Sequence, residues 1–240
     1  MAYLLMLIVG LAAGVLSGVV GTGSSMLLMP VLVLCFGPQH AVPIMALGAV
    51  MGNVGKVVAW WPHVHWRAVA AYAAPAVPGA VLGVHTLLAL PPHVVDLALG
   101  LFFIGMVPAR RALARSRFKP TLGHLALIGG PVGFLTGIVV STGPLTVPVF
   151  TSFGLARGAF LATEAAASVT VYAAKIASFG TFGALPGSIV LQGLIVGAAL
   201  MAGSFWSKAM VLRLQPATFT VLVDGMMAVS GGTLLWAAAT

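Results

Sequence analysis

The sequence predicts an all-α polytopic membrane protein made of two inverted-topology repeats, with about eight full spans plus two short half-helices (8–10 segments in all). Three observations predict it. The chain is 60% hydrophobic with only 6% charged residues and a mean hydropathy of +1.13. Soluble domains carry about 25% charged residues, so no water-facing surface can be assembled from this list. Apolar runs of about twenty residues recur along the chain, each long enough to cross a bilayer as a helix. Glycines and a lysine of the first half also return in the second at a constant offset of 119 residues. Open sheets are excluded because lipid cannot satisfy their edges, and a barrel needs alternating polar residues that are missing here.

Breaks at glycine, proline and the few charges divide the chain into segments 3–20, 24–37, 40–61, 66–89, 93–113, 122–140, 143–154, 158–179, 187–207 and 216–238. The first lacks a basic leader and a small-residue cleavage site and reads as a retained span. It carries the ladder Gly10, Gly14 and Gly18, and the sixth segment repeats it as Gly129, Gly133 and Gly137. Small residues four apart let helix backbones approach closely in lipid, so packing explains the ladders. Segments 24–37 and 143–154 reach only about 20 Å at the helical rise, short of a hydrocarbon core of about 30 Å, and read as half-helices. They end on the pairs Phe36–Gly37 and Phe153–Gly154; further on Lys175 answers Lys56, Gly203 answers Gly83 and Pro216 answers Pro92. The expected organisation is a first repeat at 1–115, a basic linker at 116–121 and a second repeat at 122–240. Five segments per half is an odd number, so the second half enters from the opposite face, a design of secondary transporters.

Charge orients the chain. Its net charge is +8, and in a membrane protein such an excess belongs to cytoplasmic loops rather than to nucleic-acid binding. With both termini outside, Arg67, Arg110, Arg111, Arg115, Arg117, Lys119, Arg157, Lys208 and Arg213 all fall on the cytoplasmic side, nine of the eleven basic residues. A bacterial inner membrane is the expected location, with the central basic loop cytoplasmic. The single Cys35 cannot form an intrachain disulfide.

The stretch "SGVVGTGSSMLLMP" (17–30) interrupts an apolar run with glycines and hydroxyls, and "TGIVVSTGPLTVP" (136–148) does so again. Packing does not explain these breaks. A broken helix in lipid leaves N–H and C=O groups costing several kcal/mol each unless protein or a water-filled cavity satisfies them. The half-helix after each break starts at the tip, and a helix N-terminus favours anions. Thr22, Ser24 and Ser25 in one tip, and Ser141 and Thr142 in the other, add hydroxyls. Gly21, Gly23 and Gly143 let backbone approach a ligand. The breaks read as two opposed anion-binding tips.

These two stretches resemble the paired glycine-rich signature of the sulfite exporter TauE/SafE family, also described as a sulfonate permease family. The resemblance spans both tips, the prolines after them, the basic central loop and the length. It implies transport of a small anion, sulfite or an organosulfonate such as sulfoacetate, by a carrier. Ser24 and Ser25 stand where the family's tips carry glycines, which leaves the anion open. A passive small-anion channel and an intramembrane enzyme are the alternatives, the second without support from any HExxH, P-loop or GxSG pattern.

Lys56 and Lys175 lie inside apolar segments, where a charge costs about 2.5–3.5 kcal/mol at the bilayer centre. Each either snorkels to an interface or supplies cationic field to the site. Asn53 and Tyr172 precede them by three residues, on the same helix face, and are cavity-lining or ordinary interhelical partners. Glu164 and Asp224 are the intramembrane acids and the coupling candidates, since such carboxylates serve proton relays; pairing within the bundle is the plainer account. His63 and His65 lack further ligand types nearby and read as interfacial anchors beside Trp60, Trp61 and Trp66. No cofactor or metal is expected. The expected partners are a small anionic substrate and membrane lipids, and a homo-oligomer is compatible with the sequence.

Overall fold

A computed structural model gives the architecture, and it describes residues 2–20, 24–115, 119–139, 142–155 and 157–207, with positions 228, 232, 235 and 236 beyond. Among the described residues the chain is helical throughout. The helices are α1 (Ala2–Val20), α2 (Ser24–Phe36), α3 (Pro38–Ala59), α4 (Trp66–Ala89), α5 (Pro92–Arg115), α6 (Leu122–Ile138), α7 (Gly143–Ser152), α8 (Arg157–Thr181) and α9 (Gly187–Ser207), with a 3-10 turn at Trp61–His63. Their ends lie within two residues of those the breaks predict. The last expected segment, 216–238, falls almost wholly outside the described residues.

Local chemistry accounts for the ends that matter. Both short helices, α2 and α7, close on glycine: Gly37 has φ +77 and Gly154 φ +93, the left-handed conformation that glycine adopts without steric cost. The Gly37 amide donates to Val33 O (2.8 Å) and the Gly154 amide to Thr151 O (3.1 Å), using carbonyls that the helix leaves open. Prolines 43, 75, 78, 108 and 131 stay inside α3, α4, α5 and α6, as spanning helices tolerate when neighbours satisfy the freed groups.

Glycines set the closest crossings. A side chain at Gly133 would overlap the Ala76 backbone, and one at Gly83 would overlap Phe134 O and Gly137 Cα, so α4 and α6 meet backbone to backbone. Gly14 and Gly203 do the same for α1 and α9. Between these pairs, α3 packs on α9, α8 packs on α4, and α3 and α8 pack on each other.

Large apolar side chains face outward as well as inward, and several polar ones are enclosed. Leu127 is 75% exposed, and Leu82 and Trp206 are similarly open. Lys175 and Thr163 are wholly buried, with Glu164, Lys56, Asn53 and Thr142 nearly so. Three helices, His40–Ala59, Trp66–Ala89 and Gly187–Trp206, are long and apolar enough to cross a membrane. Met6–Val15, His93–Ala109 and Leu122–Ile138 are shorter apolar helices.

Candidate functional site

The second break is where the polar side chains gather. Helix α6 starts at Thr121, whose hydroxyl accepts from the His124 amide while His124 Nδ1 accepts from the Thr121 amide (3.2 Å), a reciprocal cap. It stops at Val139, which turns extended (φ −91, ψ 167). Helix α7 then begins at Gly143 behind Thr142, with proline in its first turn, where a missing N–H costs nothing.

A small polar cleft, with about the room of one water molecule, opens at this junction, lined by Tyr72, Thr136, Thr142, Gly143, Thr146, Ser168, Val171 and Tyr172. Four helices contribute: α4, α6, α7 and α8. Its hydroxyls form an ordered chain. Thr136 Oγ1 donates back to Val132 O (2.7 Å) and lies 2.6 Å from Thr142 Oγ1. A hydroxyl has one hydrogen, so Thr142 is the donor of that second bond. Thr146 Oγ1 donates to Glu164 Oε1 (3.0 Å), with Gly143 O a more distant acceptor (3.3 Å). Ser168 Oγ donates to the same Glu164 oxygen (2.9 Å). Tyr72 stands edge-on to Phe150, ring centres 5.4 Å apart, which fixes its ring against the wall.

Glu164 sits one hydroxyl behind the cavity. Its other oxygen, Oε2, is buried with no hydrogen-bond partner among the described residues. Lys56 of α3 lies within Coulombic reach of it across the α3–α8 crossing. Lys175 has a different place. Its ammonium donates to Thr136 O (2.5 Å) and Val139 O (2.9 Å) and lies 5.9 Å from the Phe179 ring centre. It therefore caps the carbonyl end of α6, the negative end of that helix, immediately behind the cavity wall.

Of the residues singled out in the sequence, the cavity brings together Thr142, Gly143 and Tyr172, with Glu164 behind Thr146. Ser24 and the buried Ser25 open α2 and do not line it. Asn53 and Lys56 are buried on α3, also off the wall. Both lysines are held inside the protein rather than extended to its surface. Gly21, Thr22, Gly23, Ser141 and Asp224 lie outside the described residues. Sequence reasoning missed Tyr72, Thr136, Thr146 and Ser168. Thr136 and Thr146 stand within the stretch quoted above, so hydroxyl spacing at 136, 142 and 146 was an available signal; nothing local marks Tyr72 or Ser168.

An apolar exterior around a small polar cleft at a broken helix defines a class: a helical membrane protein with a polar interior site. The family model for Sulfite exporter TauE/SafE matches residues 6–234, and the chain belongs to that family. The family is one of membrane transporters of sulfite-like anions, which makes this a multi-pass membrane transporter. Searches among curated proteins and among solved structures found no match.

Proposed function

We propose that the protein is a secondary transporter that carries a small anion, sulfite or an organosulfonate such as sulfoacetate, across a bacterial inner membrane by alternating access. The observation that carries this reading is the hydroxyl-lined cavity at the start of α7. A helix N-terminus, two tyrosines and rotatable hydroxyls border this cleft, the kinds of group that hold a compact oxyanion. The repeat organisation belongs to the same proposal: 1–115 and 122–240 as inverted repeats of about eight spans plus two half-helices, joined by the linker 116–121, both termini outside and the linker cytoplasmic. Supporting it, α2 and α7 begin at an offset of 119 residues, as do α3 and α8. The crossing of α1 with α9 also has its counterpart in that of α6 with α4. In this arrangement Gly21, Thr22, Gly23, Ser24 and Ser25 form the opposing tip, with Ser141 beside Thr142.

The test is flux of radiolabelled sulfite in proteoliposomes. The wild type is expected to move sulfite saturably, and Thr142→Leu to insert normally but lose transport, because leucine removes the hydroxyl and fills the cavity mouth. Equal flux in the variant, or none above empty liposomes in the wild type, overturns the reading. A nonsaturating, purely downhill flux identifies a channel instead.

A further inference from the structure

The hydrogen inventory of the cavity wall contains a switch. Thr146 and Ser168 each have one hydroxyl hydrogen, and both are aimed at Glu164 Oε1. While they are so aimed, they show the cavity only lone pairs, which repel an anion. Thr142 spends its hydrogen on Thr136, and Thr136 on Val132 O. In this arrangement the four Ser/Thr hydroxyls of the wall offer the cavity no donor.

The carboxylate that holds two of them is itself poorly satisfied. An ionised carboxylate offers about four lone-pair sites; here one oxygen receives two donors and the other, buried, receives none among the described residues. Such an atom in a membrane interior requires an explanation. The titratable or charged groups facing Glu164 are Lys56 from α3 and Tyr72 from α4, while α7 faces it with Thr146. His65, ahead of α4, is occupied with the Ala68 amide and Phe153, and only its backbone N–H touches the neighbouring Thr163. Tyr172 and Lys175 lie further along α8 itself.

We infer that Glu164 is a proton site coupled to the anion cavity, so that one proton and one anion bind together and cross together. A proton arriving from water in the cavity adds to Oε1 and neutralises the carboxylate. The new O–H donates to Thr146 Oγ1, reversing that bond, and the Thr146 hydrogen turns into the cavity; with the charge gone, the Ser168 hydrogen is free to follow. The wall changes from acceptor to donor and loses a negative charge one hydroxyl away. Linkage makes this reciprocal: the proton raises affinity for the anion by the factor by which the anion raises affinity for the proton. A monoanion and a proton together carry no net charge, so the loaded carrier crosses the membrane field without electrical work.

This inference rests on the anion reading above, and one set of measurements separates the two. Methanesulfonate, which keeps a single negative charge from pH 5 to pH 9, is titrated into the purified wild type, Glu164→Gln, and the double variant Thr146→Val with Ser168→Ala. The wild type is expected to lose affinity as pH rises, by about tenfold or more across the range, and to take up protons from weakly buffered solution on binding. Glu164→Gln, which imitates the neutral acid, binds tightly at every pH with no proton uptake. The double variant binds weakly at every pH. A wild-type pH profile retained in Glu164→Gln, or proton release instead of uptake by the wild type, overturns the coupling while leaving the anion site standing. Should Glu164→Gln fail to fold, proton release on binding by the wild type still overturns the coupling, and Lys175→Arg, which stays charged across the range, is expected to keep the uptake. If the wild type binds neither methanesulfonate nor sulfite at any pH, the anion reading falls and takes this inference with it.

Discussion

The ammonium of Lys175 donates a 2.9 Å hydrogen bond to the carbonyl of Val139, the residue at which α6 stops. With its second bond to Thr136 O, this single side chain satisfies two groups at a helix end that lipid would leave bare. The lysine reads as the part that makes the break affordable, with its charge spent on the helix end rather than aimed into the cavity.

Replacing Lys175 with glutamine is therefore expected to lower stability as well as affinity. Each charge-assisted bond is worth about 1.5–3 kcal/mol, so the melting temperature in detergent should drop clearly while sulfite affinity falls with it. Lys175→Arg should recover part of both, since a guanidinium is larger and forked. A Gln variant with wild-type melting and lost affinity would return the lysine to the role of direct anion ligand.

The glycine crossings make a paired prediction. Gly83→Ala forces a methyl into Phe134 O and Gly137 Cα, where backbone cannot yield, and is expected to cost folded yield or several degrees of melting temperature. Gly105→Ala on α5 meets nothing within 4 Å and should be neutral or slightly stabilising, since alanine is the better helix former by about 1 kcal/mol. Equal behaviour of the two variants in a thermal-shift assay would contradict the crossing.

Tyr72 offers a milder probe of the cavity. Tyr72→Phe keeps the ring against Phe150 and deletes only the hydroxyl. Sulfite affinity is expected to fall by about 2- to 13-fold, the worth of one neutral hydrogen bond of 0.5–1.5 kcal/mol, with melting unchanged. Unaltered affinity would place the anion elsewhere.

Orientation can be read by thiol labelling. Cys35 is exposed and is first replaced by serine. Arg115→Cys should then resist an impermeant reagent added to intact cells, and Thr240→Cys should react. The opposite pattern reverses the proposed topology.

How much of this was legible in the sequence follows physical range. Helix ends were, because glycine and proline act on their own backbone: α9 was expected at the residues where it lies, and Gly37 and Gly154 were visible as matching stops. The ladders were legible as close packing, though not their partners, since only tertiary structure sets Gly133 on Ala76. At the site, Thr142, Gly143 and Tyr172 stood out by composition and spacing. Tyr72 and Ser168 did not, because what places them at the cavity is how α4 and α8 lean on α6 and α7. Lys175 was visible as a buried cation; its acceptors, 36 and 39 residues earlier in the chain, were not. Lys56 and Glu164 were each noticed alone, and the α3–α8 crossing is what sets one against the other.

The backbone-to-backbone seams also decide how the molecule can move. Where helices touch through bare glycine, no side chain lies between them to change rotamer, so α4 with α6, and α1 with α9, hold a fixed backbone spacing. Lys56 and Glu164 lie within Coulombic reach of each other where α3 crosses α8. On the coupling proposed above, a proton on Glu164 therefore reaches beyond the cavity wall, because it also changes what Lys56 faces on the neighbouring helix.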